Sequence, residues 1–91
     1  MTIEICDLGT WGATTLAAEY DAECDAIRVN ARAVERVRVA LGDAAAAAFI
    51  DCAVAHERFH QSHPNASEAE AHAFARARAG TDPHAFEAVL R

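Results

Sequence analysis

The pattern of apolar and polar positions divides the 91-residue chain into a first part typical of strands and a second part typical of helices. Thr2–Cys6 alternates apolar and polar residues, residues 14–20 form a second strand candidate, and residues 26–29 form a short third. The Gly9-Thr10-Trp11-Gly12 segment has the composition of a turn or loop. We therefore expect a three-stranded antiparallel meander over residues 1–30.

Apolar residues at helical spacing predict three to four helices over residues 31–91. We expect Asn30 to cap the first helix and Gly42 to end it. Asp43 is expected to cap a long second helix over residues 44–61. The predicted apolar stripe of the first helix consists of Val34, Val37 and Leu41.

A turn that contains Pro64 ends the second helix. Ser67 and Glu70 form the capping box S-x-x-E, which predicts the start of a third helix that Gly80 closes. A short fourth helix is predicted to begin around Pro83, a residue favoured in a first helical turn. Its expected apolar face consists of Phe86, Val89 and Leu90. The fold class is therefore α+β, in a single domain over residues 1–91.

The predicted second helix carries the run His56-Glu57-Arg58-Phe59-His60, which has the form H-E-x-x-H. With about 3.6 residues per turn, His56 and His60 lie one turn apart on the same helix face, where both imidazoles can reach one Zn²⁺. Glu57 is then close enough to take a proton from a water that the ion has made acidic. The motif predicts a metal site with Glu57 as its general base.

A helical wheel predicts that this His pair faces the interior, because apolar residues surround it at about 100° per residue. Buried imidazoles need partners, and one metal ion satisfies two of them together. The residues predicted on the His side are Phe49, Cys52, Ala53 and Phe59. Those predicted to face solvent are Asp51, Ala55 and Arg58.

Catalytic zinc usually has three protein ligands, and Glu68 is our candidate for the third. It lies in the first turn of the third helix, which should pack back on the motif helix through small residues at Ala71, Ala75 and Ala79. His72 lies one turn after Glu68 on the same face. His72 is open to three roles: holding a ligand in place, polarising a substrate carbonyl, or binding the metal itself. A site in which Cys52 joins the two histidines is a further alternative, whereas His63 and His84 are expected at the surface.

These segments resemble a zincin of the gluzincin type, in particular the compact IrrE/ImmA-like metallopeptidase domains. The likeness covers roughly residues 19–79, from the strands before the helices, through the motif, to the Glu68-Ala69-Glu70-Ala71-His72-Ala73-Phe74-Ala75 segment. The resemblance implies zinc binding by His56, His60 and Glu68, with Glu57 as the base. His72 stands where the family more often has Asn or Asp beside the ligands. Arg58 is also a departure, because the family usually has uncharged residues between the Glu and the second His.

Composition limits the partners that the chain is expected to bind. The net charge is −6 without a basic cluster, which argues against nucleic acid and anionic membranes as partners. No signal peptide or membrane-spanning stretch is predicted. The three cysteines are odd in number and widely spaced, which indicates free thiols in a reducing cytoplasm. We expect all three to be small buried side chains. Since 24 residues are alanine, the core should be thin, and a bound metal would add stability.

The resulting hypothesis is a minimal cytoplasmic zinc metallopeptidase that hydrolyses a peptide or protein substrate. In this interpretation the strand around residues 27–29 offers its edge to an extended peptide. The alternative is a metal-binding regulatory or interaction protein without turnover, in which Ala-rich helices pack as a homodimer. The specificity and the oligomeric state are left open by the sequence.

Overall fold

The structure, a computed structural model, describes residues 2–11, 14–15, 17–81 and 83–90. Within these ranges, five strands precede three helices, a 3₁₀ turn and a last short helix. The predicted surface position of the His84 side chain lies outside the described residues. The elements are β1 (Thr2–Cys6), β2 (Thr10–Trp11), β3 (Thr14–Thr15), β4 (Ala18–Asp21), β5 (Ala26–Asn30), α1 (Ala31–Leu41), α2 (Asp43–Ser62), α3 (Glu68–Ala79), the 3₁₀ turn Pro83–Phe86 and α4 (Glu87–Leu90).

The main sheet is mixed, with the strand order β1-β5-β4. β4 and β5 form an antiparallel hairpin, but β1 pairs with β5 in parallel, so the predicted antiparallel meander is wrong. The predicted second strand is divided between β3 and β4, and β3 pairs with β2 in a separate two-stranded sheet. β2 occupies part of the predicted loop, of which Gly12 lies outside the described residues. The fold class itself, α+β with a three-stranded sheet followed by helices, is confirmed.

Charge and burial explain the central place of β5. Ile27 and Val29 are fully buried on the helix side, as expected for a strand with neighbours on both edges and a covered face. On the other face, Arg28 lies 3.0 Å from a carboxylate oxygen of Asp21 and 3.5 Å from carboxylate oxygens of Glu19 and Glu4. One cation thus joins acidic side chains from both flanking strands. The prediction that residues 27–29 offer a free strand edge to a peptide is wrong, because β1 and β4 pair with the two sides of β5. The strand β4 lies at an edge of this sheet.

Asn30 links the end of the sheet to the first helix. Its side chain is fully buried, and its Oδ1 accepts from the backbone N–H of Arg32, which confirms the predicted cap of α1. The same Oδ1 accepts from Leu8 N–H at 3.0 Å, and Nδ2 donates to the Gly9 carbonyl at 3.0 Å. One amide therefore fixes both the helix start and the loop after β1.

The core lies where α1, α2 and α4 meet the sheet. Val37 is fully buried, but Leu41, predicted on the same stripe, is 56% exposed because it lies in the last turn of α1 beside the chain reversal. Phe49 and Phe86 pack edge to face, with their ring centroids 5.2 Å apart. The core consists of Val29, Ala33, Val37, Phe49, Cys52, Ala53, Phe86 and Leu90.

Two details of α2 correct the sequence prediction. Its cap is Gly42, at φ 99°, and Asp43 is the exposed first residue of the helix with no capping side-chain bond. Ala55, predicted to face solvent, is 7% exposed because Ala79 and Arg78 of α3 lie across a groove from it. The predicted exposure of Asp51 is confirmed.

α3 begins and ends where the sequence predicts. Both bonds of the capping box between Ser67 and Glu70 are formed, and Gly80 ends the helix in the left-handed conformation at φ 81°. The predicted apolar face of the last segment is confirmed, but its first turn is a 3₁₀ helix before α4. Among the described residues, no helix is long and apolar enough to cross a membrane.

The three cysteines are free, as the sequence predicts. Only Cys52 is buried, whereas Cys6 is half-buried and Cys24 is exposed in the β4–β5 turn, so the prediction that all three are buried is wrong.

We predict that Asn30→Ala lowers the free energy of unfolding by ~2–3 kcal/mol, because it leaves three part-buried backbone groups of the loop and helix without these partners. Ser67→Ala, which removes an exposed cap, is the control and should cost ~1 kcal/mol. Urea unfolding of both variants measures the difference. Equal losses would show that Asn30 acts only as a helix cap.

Candidate metal centre

Helix α2 places the two histidines of the motif side by side. Their ring centroids are 4.9 Å apart, as one helical turn requires. His56 is buried, and the His60 side chain is 20% exposed at the wall of a cleft. The structure thus puts His56 on the buried stripe that the wheel predicts and His60 at its margin. Burial lowers the pKa of His56, and the nearby Glu68 carboxylate partly opposes this effect.

Helix α3 brings Glu68 onto this pair. Ala71 and Ala75 are fully buried, and such small side chains allow close approach of two packed helices. Oε2 of Glu68 lies 3.1 Å from Nε2 of His56, and Oε1 lies 2.9 Å from Nε2 of His60. One carboxylate therefore contacts both imidazoles, although its side chain is 69% exposed.

His72 adds a third imidazole to the group. Its ring centroid is 4.8 Å from that of His56. One potential ligand atom from each of His56, Glu68 and His72 lies within 4.8 Å of the other two. The His72 ring therefore lies next to the predicted metal ligands and not in an outer layer around them.

Glu57 lies in the same cleft, half-buried beside the histidines. Burial raises the pKa of its carboxyl to about 7, and the negative charges of Glu68 and Glu19 act in the same direction, against the opposing effect of His60. A carboxyl group with a pKa near neutrality can both accept and return a proton.

The cleft has a volume of about 330 Å³ and is formed between α2, α3 and the edge of the sheet. Its sheet wall, made by Ala17, Ala18 and Glu19, was not assigned to the site from the sequence. Apolar alternation marks β4 as a strand, but no local signal tells which helix it faces. All five predicted site residues line this cleft: His56, Glu57, His60, Glu68 and His72.

The donor set fits a bound cation. Nε2 of His60 is buried and forms no hydrogen bond within the described part of the chain, even though it is 2.9 Å from a carboxylate oxygen. In His56 the unbonded nitrogen is Nδ1, whereas Nε2 is the nitrogen that lies beside Glu68. Imidazole and carboxylate groups are common ligands of zinc and of other first-row transition metals. A cation shared by these groups would satisfy the ring nitrogens that approach the carboxylate.

Cys52 does not join this group. Its thiol donates to the Phe49 carbonyl at 3.2 Å and packs in the core, and it is not among the residues that line the cleft. His63 is exposed in the turn after α2, as expected, with its ring stacked on Phe59 at a centroid distance of 4.4 Å.

In comparisons with protein families, curated proteins and solved structures, no match to this chain is found. The resemblance to IrrE/ImmA-like domains therefore stays a prediction that depends on the motif residues.

We predict that Zn²⁺ stabilises the protein through this cleft. At a free concentration of about 100 times the Kd, the ion should contribute ~2.7 kcal/mol and raise the Tm by roughly 11–22 °C for a domain of this size. His56→Ala and Glu68→Gln should abolish the shift, whereas the exposed control His63→Ala should keep it. Thermal melting with and without Zn²⁺ measures the effect, and an unchanged shift in both cleft variants would place binding elsewhere.

Proposed function

We propose that this protein is a minimal zinc-dependent metallopeptidase, with Zn²⁺ bound by His56, His60 and Glu68. The observation that carries this proposal is the contact of one Glu68 carboxylate with both histidines of the H-E-x-x-H motif. Two helices that are separate in sequence thereby bring three ligand groups together, in the combination that the zincin resemblance implies.

When bound, the ion supplies a Lewis acid that increases the acidity of water and polarises a carbonyl group. Glu57 lines the same cleft, which supports its role as the base that takes the proton of the attacking water and passes it to the leaving amine. In this mechanism His72, which also lines the cleft, orients a ligand group or donates a hydrogen bond to the developing oxyanion.

The edge strand β4 supports a peptide as the substrate. Ala18 and Glu19 of β4 line the cleft, and β4 pairs with β5 along one side only among the described strands. An extended peptide can add to such an edge through backbone hydrogen bonds, and Glu57 lines the same cleft as this strand. The free cysteines support a reducing cytoplasmic setting for this reaction.

A metal-binding module without turnover is the second candidate, and the position of His72 favours it. A fourth ligand would occupy the coordination position that hydrolysis needs. In this case metal binding would stabilise the fold for an interaction, such as a homodimer formed through the Ala-rich helices. Activity of the zinc-loaded protein separates the two functions.

We predict that Glu57→Gln retains zinc and lowers peptide hydrolysis by about 10²–10⁴-fold, the usual contribution of a general base. A quenched fluorescent peptide library provides the assay, with the zinc content measured on the same samples. Asp51→Asn, an exposed carboxylate on the same helix, is the matched control and should retain activity. If Glu57→Gln cleaves as fast as the parent, Glu57 is not the base.

A further inference from the structure

His72 lies closer to the candidate metal ligands than a purely supporting residue needs to be. It begins the second turn of α3, one turn after Glu68 and on the same face. Its ring is 4.8 Å from that of His56, which is as close as the His56 and His60 rings are to each other. Three imidazoles and one carboxylate therefore converge on a single part of the cleft.

Three of the four groups, His56, Glu68 and His72, lie close enough together to hold one ion, and His60 is joined to them through its contact with Glu68. Donor atoms around tetrahedral zinc are about 3.3–3.5 Å apart, given metal–ligand distances near 2.0–2.1 Å. The Glu68 oxygens are already 2.9 and 3.1 Å from the histidine nitrogens of α2. The ligand atom of His72 is within 4.8 Å of those of His56 and Glu68, so a small side-chain movement brings it into range.

We propose that His72 is a fourth metal ligand, so that the resting site is closed by three histidines and one glutamate. This inference depends on the proposed function, because it requires a metal at the same site. A closed tetrahedral site is typical of structural zinc, whereas a catalytic site keeps one position open. Release of His72 is therefore the step that admits water and substrate, and His72 acts as a gate on the metal centre.

The geometry of the cleft permits this exchange. His72 is half-buried and lines the cleft, so its ring has open space on the side of the cavity. Glu68, by contrast, contacts both histidines of α2, and His56 is packed in the interior. We therefore assign the release to His72, which lies outside the H-E-x-x-H motif and does not bridge two histidines as Glu68 does.

The test measures metal coordination in the wild type, His72→Ala and the exposed control His63→Ala. We expect the Co²⁺-loaded wild type to show the intense visible bands of four-coordinate tetrahedral cobalt. His72→Ala should show weaker, shifted bands, and its Zn²⁺ affinity in a chelator competition should fall by more than the ~10–100-fold that loss of an outer partner costs. His63→Ala should match the wild type in both measurements.

Unchanged cobalt bands in His72→Ala, with a loss of zinc affinity of 100-fold or less, would overturn the proposal and leave His72 as an orienting residue. X-ray absorption at the zinc edge of the wild type gives a test that does not require the variant to fold. Three coordinated imidazoles support the gate, and two contradict it. A wild type that binds neither Co²⁺ nor Zn²⁺ contradicts the proposed function as well, whereas a wild type that binds zinc through only two imidazoles contradicts the gate alone.

Discussion

The close packing of α3 on α2 is the constraint on which the candidate site depends. Ala71 and Ala75 are fully buried in this contact, and larger side chains there would separate the helices. The packing places the first turn of α3 over the histidines of α2, so that the Glu68 carboxylate reaches both rings. The candidate metal centre is therefore formed by the pair of helices α2 and α3, and the sheet contributes one wall of the cleft.

Polar contacts add to the apolar core in joining the sheet to the helices. Asn30 connects the end of β5, the start of α1 and the loop after β1. In the turn between β4 and β5, the Asp25 carboxylate accepts hydrogen bonds from the Tyr20 hydroxyl and from the side chain of Gln61, the residue after His60. This second contact ties the turn beside β4 to the end of the motif helix, and it holds the strand wall of the cleft beside the histidines.

Local sequence signals predict much of the helical part and of the candidate site. Caps and helix ends at Asn30, Ser67 and Gly80 depend on neighbouring residues, and all three are found as expected. The parallel pairing of β1 with β5 could not be predicted in this way, because it joins segments about 24 residues apart through the register of a sheet. The burial of Ala55 was missed for a similar reason, since the wheel of one helix does not show which neighbour covers its second face.

The most direct test of the central claim is a crystal structure of the zinc-loaded protein with anomalous diffraction data at the zinc edge. We expect one strong anomalous peak in the cleft, at about 2.0–2.2 Å from Nε2 of His56, Nε2 of His60 and a carboxylate oxygen of Glu68. A protein that crystallises from zinc without a peak at these three residues would contradict the account.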